Sequence, residues 1–124
     1  MNKLKLALAA LFITCIALAS DTYKYTVNLT KVVDDKLYVE LIPPKIKQKD
    51  IVFYLPEIIP GTYRIADYGR LVSNLTAVDK KGNELKTEQL DDNSWKIYGA
   101  KKMIRLSYWV EDSFDTDKND PGIL

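Results

Sequence analysis

Short runs that alternate apolar and polar residues, each closed by a turn signal, decide what this chain can become. Tyr23, Tyr25, Val27 and Leu29 alternate with Lys24, Thr26, Asn28 and Thr30, a period of two that gives a pleated strand one apolar face. Asp34-Asp35 supplies a tight turn, and Leu37, Val39 and Leu41 resume the alternation after it. Pro43-Pro44 closes that strand, because proline has no N–H to give to a ladder. Ile51 to Leu55 is a continuous β-branched and aromatic run, which predicts a strand buried on both faces. Leu71 to Val78 reads as another strand, ended by the turn Asp79-Lys80-Lys81-Gly82-Asn83. Glu84 to Leu90, Trp95 to Tyr98 and Lys102 to Glu111 complete the set. In the last of these, Ile104, Leu106, Tyr108 and Val110 share one face, with Arg105, Ser107 and Trp109 on the other. Only Ile65 to Leu71 has room to coil, and it is short and contains Gly69. The expected fold is all-β, an antiparallel β-sandwich of about seven to eight strands.

The first twenty residues follow another logic. Lys3 and Lys5 open a basic start, Leu6 to Leu18 run apolar apart from Thr14 and Cys15, and Ala17-Leu18-Ala19 offers small residues at alternate positions. That pattern predicts a signal peptide cleaved after Ala19 or Ser20. The apolar run is about 13 residues, shorter than the roughly 20 needed to cross a bilayer core. The expected organisation is therefore a leader at 1–20, a sandwich at 21–114 and a polar, truncated linker at 115–124. Export to the periplasm or the outside is the expected location.

Composition removes whole classes of chemistry. The 124 residues include no His, so there is no imidazole ligand for zinc, no Ser-His-Asp or Cys-His pair and no imidazole base. The single Cys is Cys15, which leaves with the leader, so the mature domain has no thiol and stands on its core alone. The formal charge is +1 and becomes about −1 once Lys3 and Lys5 are removed. Neither value gives a long-range field for nucleic acid or an anionic membrane. No nucleic acid partner is expected, and no membrane partner beyond export.

Three local features invite a functional reading. Leu55 to Arg70 places the type II turn signal Pro60-Gly61 ahead of two Tyr, two Arg and one Asp. It reads either as a docking loop, since Tyr and Arg favour contacts, or as a connection pairing Asp67 with Arg64 or Arg70 and tucking Tyr63 against its own sheet. In the acidic tail, Asp115, Asp117 and Asn119 match the first ligand positions of a calcium loop. Asp120 stands where such a loop needs Gly, which favours a solvated acidic linker. The triplets Asn28-Leu29-Thr30 and Asn74-Leu75-Thr76 are glycosylation acceptors only in a eukaryotic secretory route.

The stretch from Ile51 onward carries a more specific signature. A hydrophobic strand, then P-x-x-x-P-G-T-Y at Pro56–Tyr63, then D-Y-G-R-x-V at Asp67–Val72, then A-V-D-K-K-G-N at Ala77–Asn83 resembles the N-terminal domain of the glycyl aminopeptidase family, metallopeptidase family sixty-one. Asp92-Asn93-Ser94-Trp95 and the strand Ile104–Val110 fit the same pattern, and the resemblance covers roughly Tyr23 to Phe114. It implies a larger zinc aminopeptidase that removes N-terminal Gly or Ala, with a thermolysin-like catalytic domain carrying H-E-x-x-H and often a PDZ domain. In that chemistry two His and a Glu hold the zinc, and the Glu inside the motif acts as general base. This chain has no His and no H-E-x-x-H, so no catalytic or metal residue and no cofactor is expected in it, and zinc would belong to the catalytic domain. The residues carried over from the family pattern are Pro60, Gly61, Thr62, Tyr63, Asp67, Tyr68, Gly69 and Arg70. Arg64 lies within the same loop, and together they are the expected domain interface. The implied partners are the catalytic domain of the parent peptidase and the parent's peptide substrate. A free-standing secreted binding module for a glycan or protein, using Trp109 and Tyr98 on one flat face, is the alternative.

Overall fold

The first hairpin is built by a turn that demands left-handed backbone twice. Asp34 and Asp35 adopt φ of 50° and 58°, the conformation of a two-residue type I′ turn, and join β1 (Lys24–Val33) to β2 (Lys36–Ile42). Within β1 the register breaks between Asn28 and Val32. Asn28 Oδ1 fills that break, accepting from the Thr30 and Lys31 amides, both at 3.0 Å, and from Thr30 Oγ1 at 2.8 Å. β2 stops at Ile42, immediately before the two prolines.

The computed structural model describes residues 21–61 and 65–112. The expected leader, the calcium-like tail and the linker lie outside the described residues, as do Thr62, Tyr63 and Arg64. After the hairpin come β3 (Ile51–Tyr54), a 3₁₀ turn (Tyr68–Leu71), β4 (Val72–Asp79), β5 (Glu84–Leu85), β6 (Thr87–Asp91) and β7 (Ser94–Ile97). A second 3₁₀ turn (Ala100–Lys102) leads into β8 (Met103–Glu111). The eight strands form two sheets of antiparallel pairs, one of five strands in the order β1-β2-β8-β4-β5 and one of three in the order β3-β7-β6. Leu41, Ala77, Met103 and Leu106 from the large sheet meet Ile97 of the small sheet and Ala100 of the 3₁₀ turn that leads into β8. Ile46, Ile51, Phe53, Leu75 and Leu85 pack around them. The all-β expectation holds; the chain coils briefly at Tyr68–Leu71, inside the one stretch with room to do so, and again at Ala100–Lys102, where the sequence gives no such sign.

Four local features differ from the sequence pattern, each for a geometric reason. β3 is not buried on both faces. Its sheet packs on the core by one face, so Ile51 and Phe53 turn to the core while Tyr54 is 68% exposed. The expected strand Glu84 to Leu90 divides at Lys86, with β5 completing the large sheet and β6 opening the small one. In β8, Val78 faces Arg105 but the next residue, Asp79, faces Met103. Ile104 is thus the extra residue of a bulge, which sends Met103 into the core and leaves Ile104 48% exposed. Finally, Tyr25 and Val27 sit opposite the buried Leu41 and Val39, yet the three-stranded sheet does not reach them. The apolar face of β1 is therefore formed but uncovered.

The bulge makes a direct prediction. Leu106→Ala removes a fully buried side chain and should cost about 2–5 kcal/mol. Ile104→Ala should cost less than about 1 kcal/mol, because little of it is withdrawn from water. Urea unfolding of the two variants checks this, and equal losses would mean that the simple alternation persists through β8.

Candidate functional site

The motif loop begins where β3 ends. Leu55 N donates to Asn93 O at 2.8 Å, tying the start of the loop to the β6–β7 turn. The loop then folds back on itself. Ala66 N and Asp67 N donate to Glu57 O at 2.9 and 3.1 Å, and Tyr68 N donates to Pro56 O at 3.2 Å. These bonds zip the two legs of an excursion whose tip carries Pro60 and Gly61. Gly61 has φ of 96°, the left-handed value that position i+2 of a type II turn requires and that glycine adopts without a steric cost.

The return leg is fixed by one side chain, Asn93. Its Oδ1 accepts from Gly69 N at 3.0 Å and its Nδ2 donates to Asp67 Oδ1 at 2.9 Å. Asp67 itself has φ of 46°, which an Asp tolerates better than most residues. The Arg70 amide donates to Asp67 O at 2.9 Å, and Arg70 Nε donates to Ala66 O at 3.0 Å, closing the 3₁₀ turn. Gly69 lies against the backbone of the β6–β7 turn. A Cβ on it would stand 2.0 Å from Asp92 O and 2.7 Å from Asn93 Cα. The glycine of D-Y-G-R is therefore there because two backbones touch.

The expected site residues thus divide by position. Pro60, Gly61 and Arg70 are exposed, Asp67 and Tyr68 half-buried and Gly69 buried, whereas Thr62, Tyr63 and Arg64 are outside the described residues. The Asp67 carboxylate accepts from the Asn93 side-chain amide. Asn93 is the residue that the sequence does not single out as a site. Its only signal is its place in the Asp92-Asn93-Ser94-Trp95 segment, which reads there as the approach to a strand. The turn that carries it is itself braced, with Asn93 N donating to Asp91 Oδ1 at 2.8 Å. The Ser94 hydroxyl, then the Asn93 amide, hold the Asp91 carboxyl below the ordinary carboxylate value.

Together Tyr54, Leu55, Glu57, Asp67, Asp91 and Asn93 line a hollow of about 400 Å³ that opens beside the loop. Its charged groups are carboxylates, so it repels anions and favours a cationic or amide-bearing contact. Among the described residues no three His, Cys, Asp or Glu side chains are placed to hold a metal ion, and the sequence has no His. This donor set does not fit zinc. The half-buried aromatics Trp109 and Tyr98 are divided as well. Trp109 meets Tyr38 edge to face at 5.2 Å on the large sheet, with Lys31 Nζ 4.0 Å from the Tyr38 ring. Tyr98 follows a strand of the small sheet, flanked by Lys86 and Lys96 at 4.8 Å, and donates its hydroxyl to Glu88 at 2.6 Å. The two do not make one flat aromatic face.

Two predictions belong to this site. Gly69→Ala must push apart two backbone segments and should destabilise the domain by about 1–3 kcal/mol or more, read as a fall in Tm. Folded Asp91 has a lowered pKa, so its contribution to stability is complete above the ordinary value of 3.8 and is lost as pH falls through the lower folded value. Asp91→Asn should flatten the acid limb of a Tm-against-pH curve below about pH 4, and an unchanged limb would contradict the bracing.

Comparison with known proteins gives this architecture relatives. The model of the peptidase M61 N-terminal domain matches residues 24–123. The crystal structure of an aminopeptidase N family protein from Idiomarina loihiensis superposes with a TM-score of 0.66 at 23% identity, a likeness of fold. The superposition covers 77% of this chain and 16% of that one, so this chain spans a small part of the solved structure's length. No curated protein matches the chain significantly. With all eight strands and both motif segments inside the matched range, the chain belongs to the peptidase M61 N-terminal domain family.

Proposed function

We propose that this chain is the non-catalytic N-terminal β domain of an exported glycyl aminopeptidase-like zinc metallopeptidase, packing on the catalytic domain and bordering its substrate cleft. The observation that carries this reading is the family match over residues 24–123. The proposed division of labour follows from the donor inventory. A peptidase of this kind needs imidazole ligands and a carboxylate base around zinc, and a chain without His leaves that chemistry to its partner.

What supports packing is the uncovered apolar strip of β1. Tyr25 and Val27 are 56% and 49% exposed on one face of β1, with Tyr23 just before the strand at 62% and Leu29 in its irregular stretch at 73%, and an exposed apolar surface of that extent is stabilised when another surface covers it. Ile58, Ile59 and Ile65 add exposed aliphatic side chains to the motif loop. In this reading the zipped loop presents its tip at the edge of the cleft, and the acidic hollow beside it lies near the amino end of a bound peptide. Export rests on the basic start, the apolar run and the small residues at 17–19.

The test is a titration of the chain into a separately expressed catalytic domain of the same peptidase family, with calorimetry and cleavage of a Gly-peptide followed together. Saturable binding with a negative heat-capacity change is expected, with cleavage raised only when both pieces are present. Val27→Glu with Leu29→Glu should weaken that binding by about tenfold or more at unchanged Tm, since each places a charge in a covered apolar contact. A chain that stays monomeric and leaves cleavage unaltered would contradict the proposal.

A further inference from the structure

Three connections converge at the other end of β3 from the motif loop. The β2–β3 connection contributes Lys45, the β4–β5 turn contributes Lys80 and Lys81, and the second 3₁₀ turn contributes Lys101 and Lys102. The sheet register puts them together, because Asp79 faces Met103 across β4 and β8. Ala100 N donates to Lys49 O at 2.6 Å and Gly99 N donates to Asp50 Oδ1 at 3.0 Å, which pins the 3₁₀ turn to the start of β3. The five lysines wall a cleft of about 800 Å³.

Its charge is unbalanced. All five lysines are exposed, and none of their ammonium groups is in an ion pair among the described residues. The carboxylate in the lining, Asp79, is committed to its own turn. It accepts from Lys81 N at 2.8 Å, from Asn83 N at 3.0 Å and from Asn83 Nδ2 at 3.1 Å. These bonds, the Asn83 side chain foremost, hold its pKa below the ordinary value. In a chain of formal charge +1, five cations in one cleft are a strong local segregation, and their potentials add over separations shorter than the roughly 8 Å screening length.

The cleft is also apolar at its base. Met103 is buried and Ile46 half-buried, while Ile42 and Ile104 stand at 42% and 48% exposure between the lysines. A membrane-inserting surface would carry its apolar side chains outermost, beyond the charges. Here the deepest apolar contact, Met103, lies beneath an exposed basic rim, a concave arrangement suited to a chain laid into it.

We propose that this cleft is a docking site for an acidic polypeptide segment with interspersed apolar side chains. The segment's carboxylates meet the lysine rim, and its apolar side chains cover Ile42, Ile104 and the Met103 base. The proposal does not rest on the peptidase reading.

The experiment titrates the full chain with a fluorescent peptide of alternating Glu and Leu and, in parallel, with vesicles of mixed phosphatidylglycerol and phosphatidylcholine. Saturable binding of the peptide is expected, weakened about tenfold or more by Lys80→Glu with Lys101→Glu. The same change of charge elsewhere, Lys31→Glu with Lys96→Glu, should alter it less than about twofold, and added salt should weaken it steeply. Should the first pair of substitutions lower Tm, Lys80→Gln with Lys101→Gln gives the same comparison with a milder change. Equal losses in the two charge variants, binding to vesicles alone, or no saturation by the peptide would each overturn the proposal.

Discussion

The contact of Gly69 with the carbonyl of Asp92 is the constraint on which this domain turns. It joins the segment leading into β4, a strand of the large sheet, to the turn between β6 and β7 of the small one. Only a residue without Cβ permits that approach, and Asn93 then bonds across it in both directions, to Gly69 N and to Asp67 Oδ1. Because Leu55 N also reaches Asn93 O, the loop from Pro56 to Tyr68 leaves and rejoins the body at one point. Its geometry is set by backbone hydrogen bonds together with the Asn93 side chain.

The unequal sheets shape everything outside that staple. Five strands face three, so a core forms around Leu106, Ala77 and Ile97 while the inward-facing row of the hairpin strand β1 overhangs it. A domain that keeps Tyr25 56% and Val27 49% exposed forgoes burial that its own sequence pattern supplies. The same overhang, with the acidic hollow at one end of β3 and the lysine cleft at the other, gives the molecule three chemically distinct surfaces: apolar, anionic and cationic.

Much of this was legible in the residues, and the failures have physical causes. Period-two runs and the turn signals at Asp34-Asp35, Pro43-Pro44 and Gly82 located most of the strands, because those are local properties of the backbone. Pairing is not local. The continuous apolar run Ile51 to Leu55 reads as a strand buried on both faces, but such burial needs a layer packed over each face, and the core covers only the face that carries Ile51 and Phe53. Ile104 and Met103 exchange places because of a bulge set by the partner strand, which no periodicity within β8 can reveal. Likewise the motif P-G-T-Y with D-Y-G-R is visible as a motif, and it pointed to the right family, whereas its anchor does not show. Asn93 lies more than twenty residues away from Gly69 in an unremarkable turn, and only the folded chain brings the two together.

The most direct test of this account is the exchange rate of one amide. If the Asn93 staple holds the loop to the body, the Gly69 N–H, bonded to Asn93 Oδ1 and pressed against Asp92, exchanges only through openings close in free energy to global unfolding. Hydrogen exchange followed by NMR should then place Gly69 with Leu106 in the slowest class, and Asn93→Ala should move Gly69 far more than Leu106. Exchange of Gly69 as fast as that of the exposed turn at Gly82 would contradict the account, and would make the motif a loosely held loop rather than the joint of the domain.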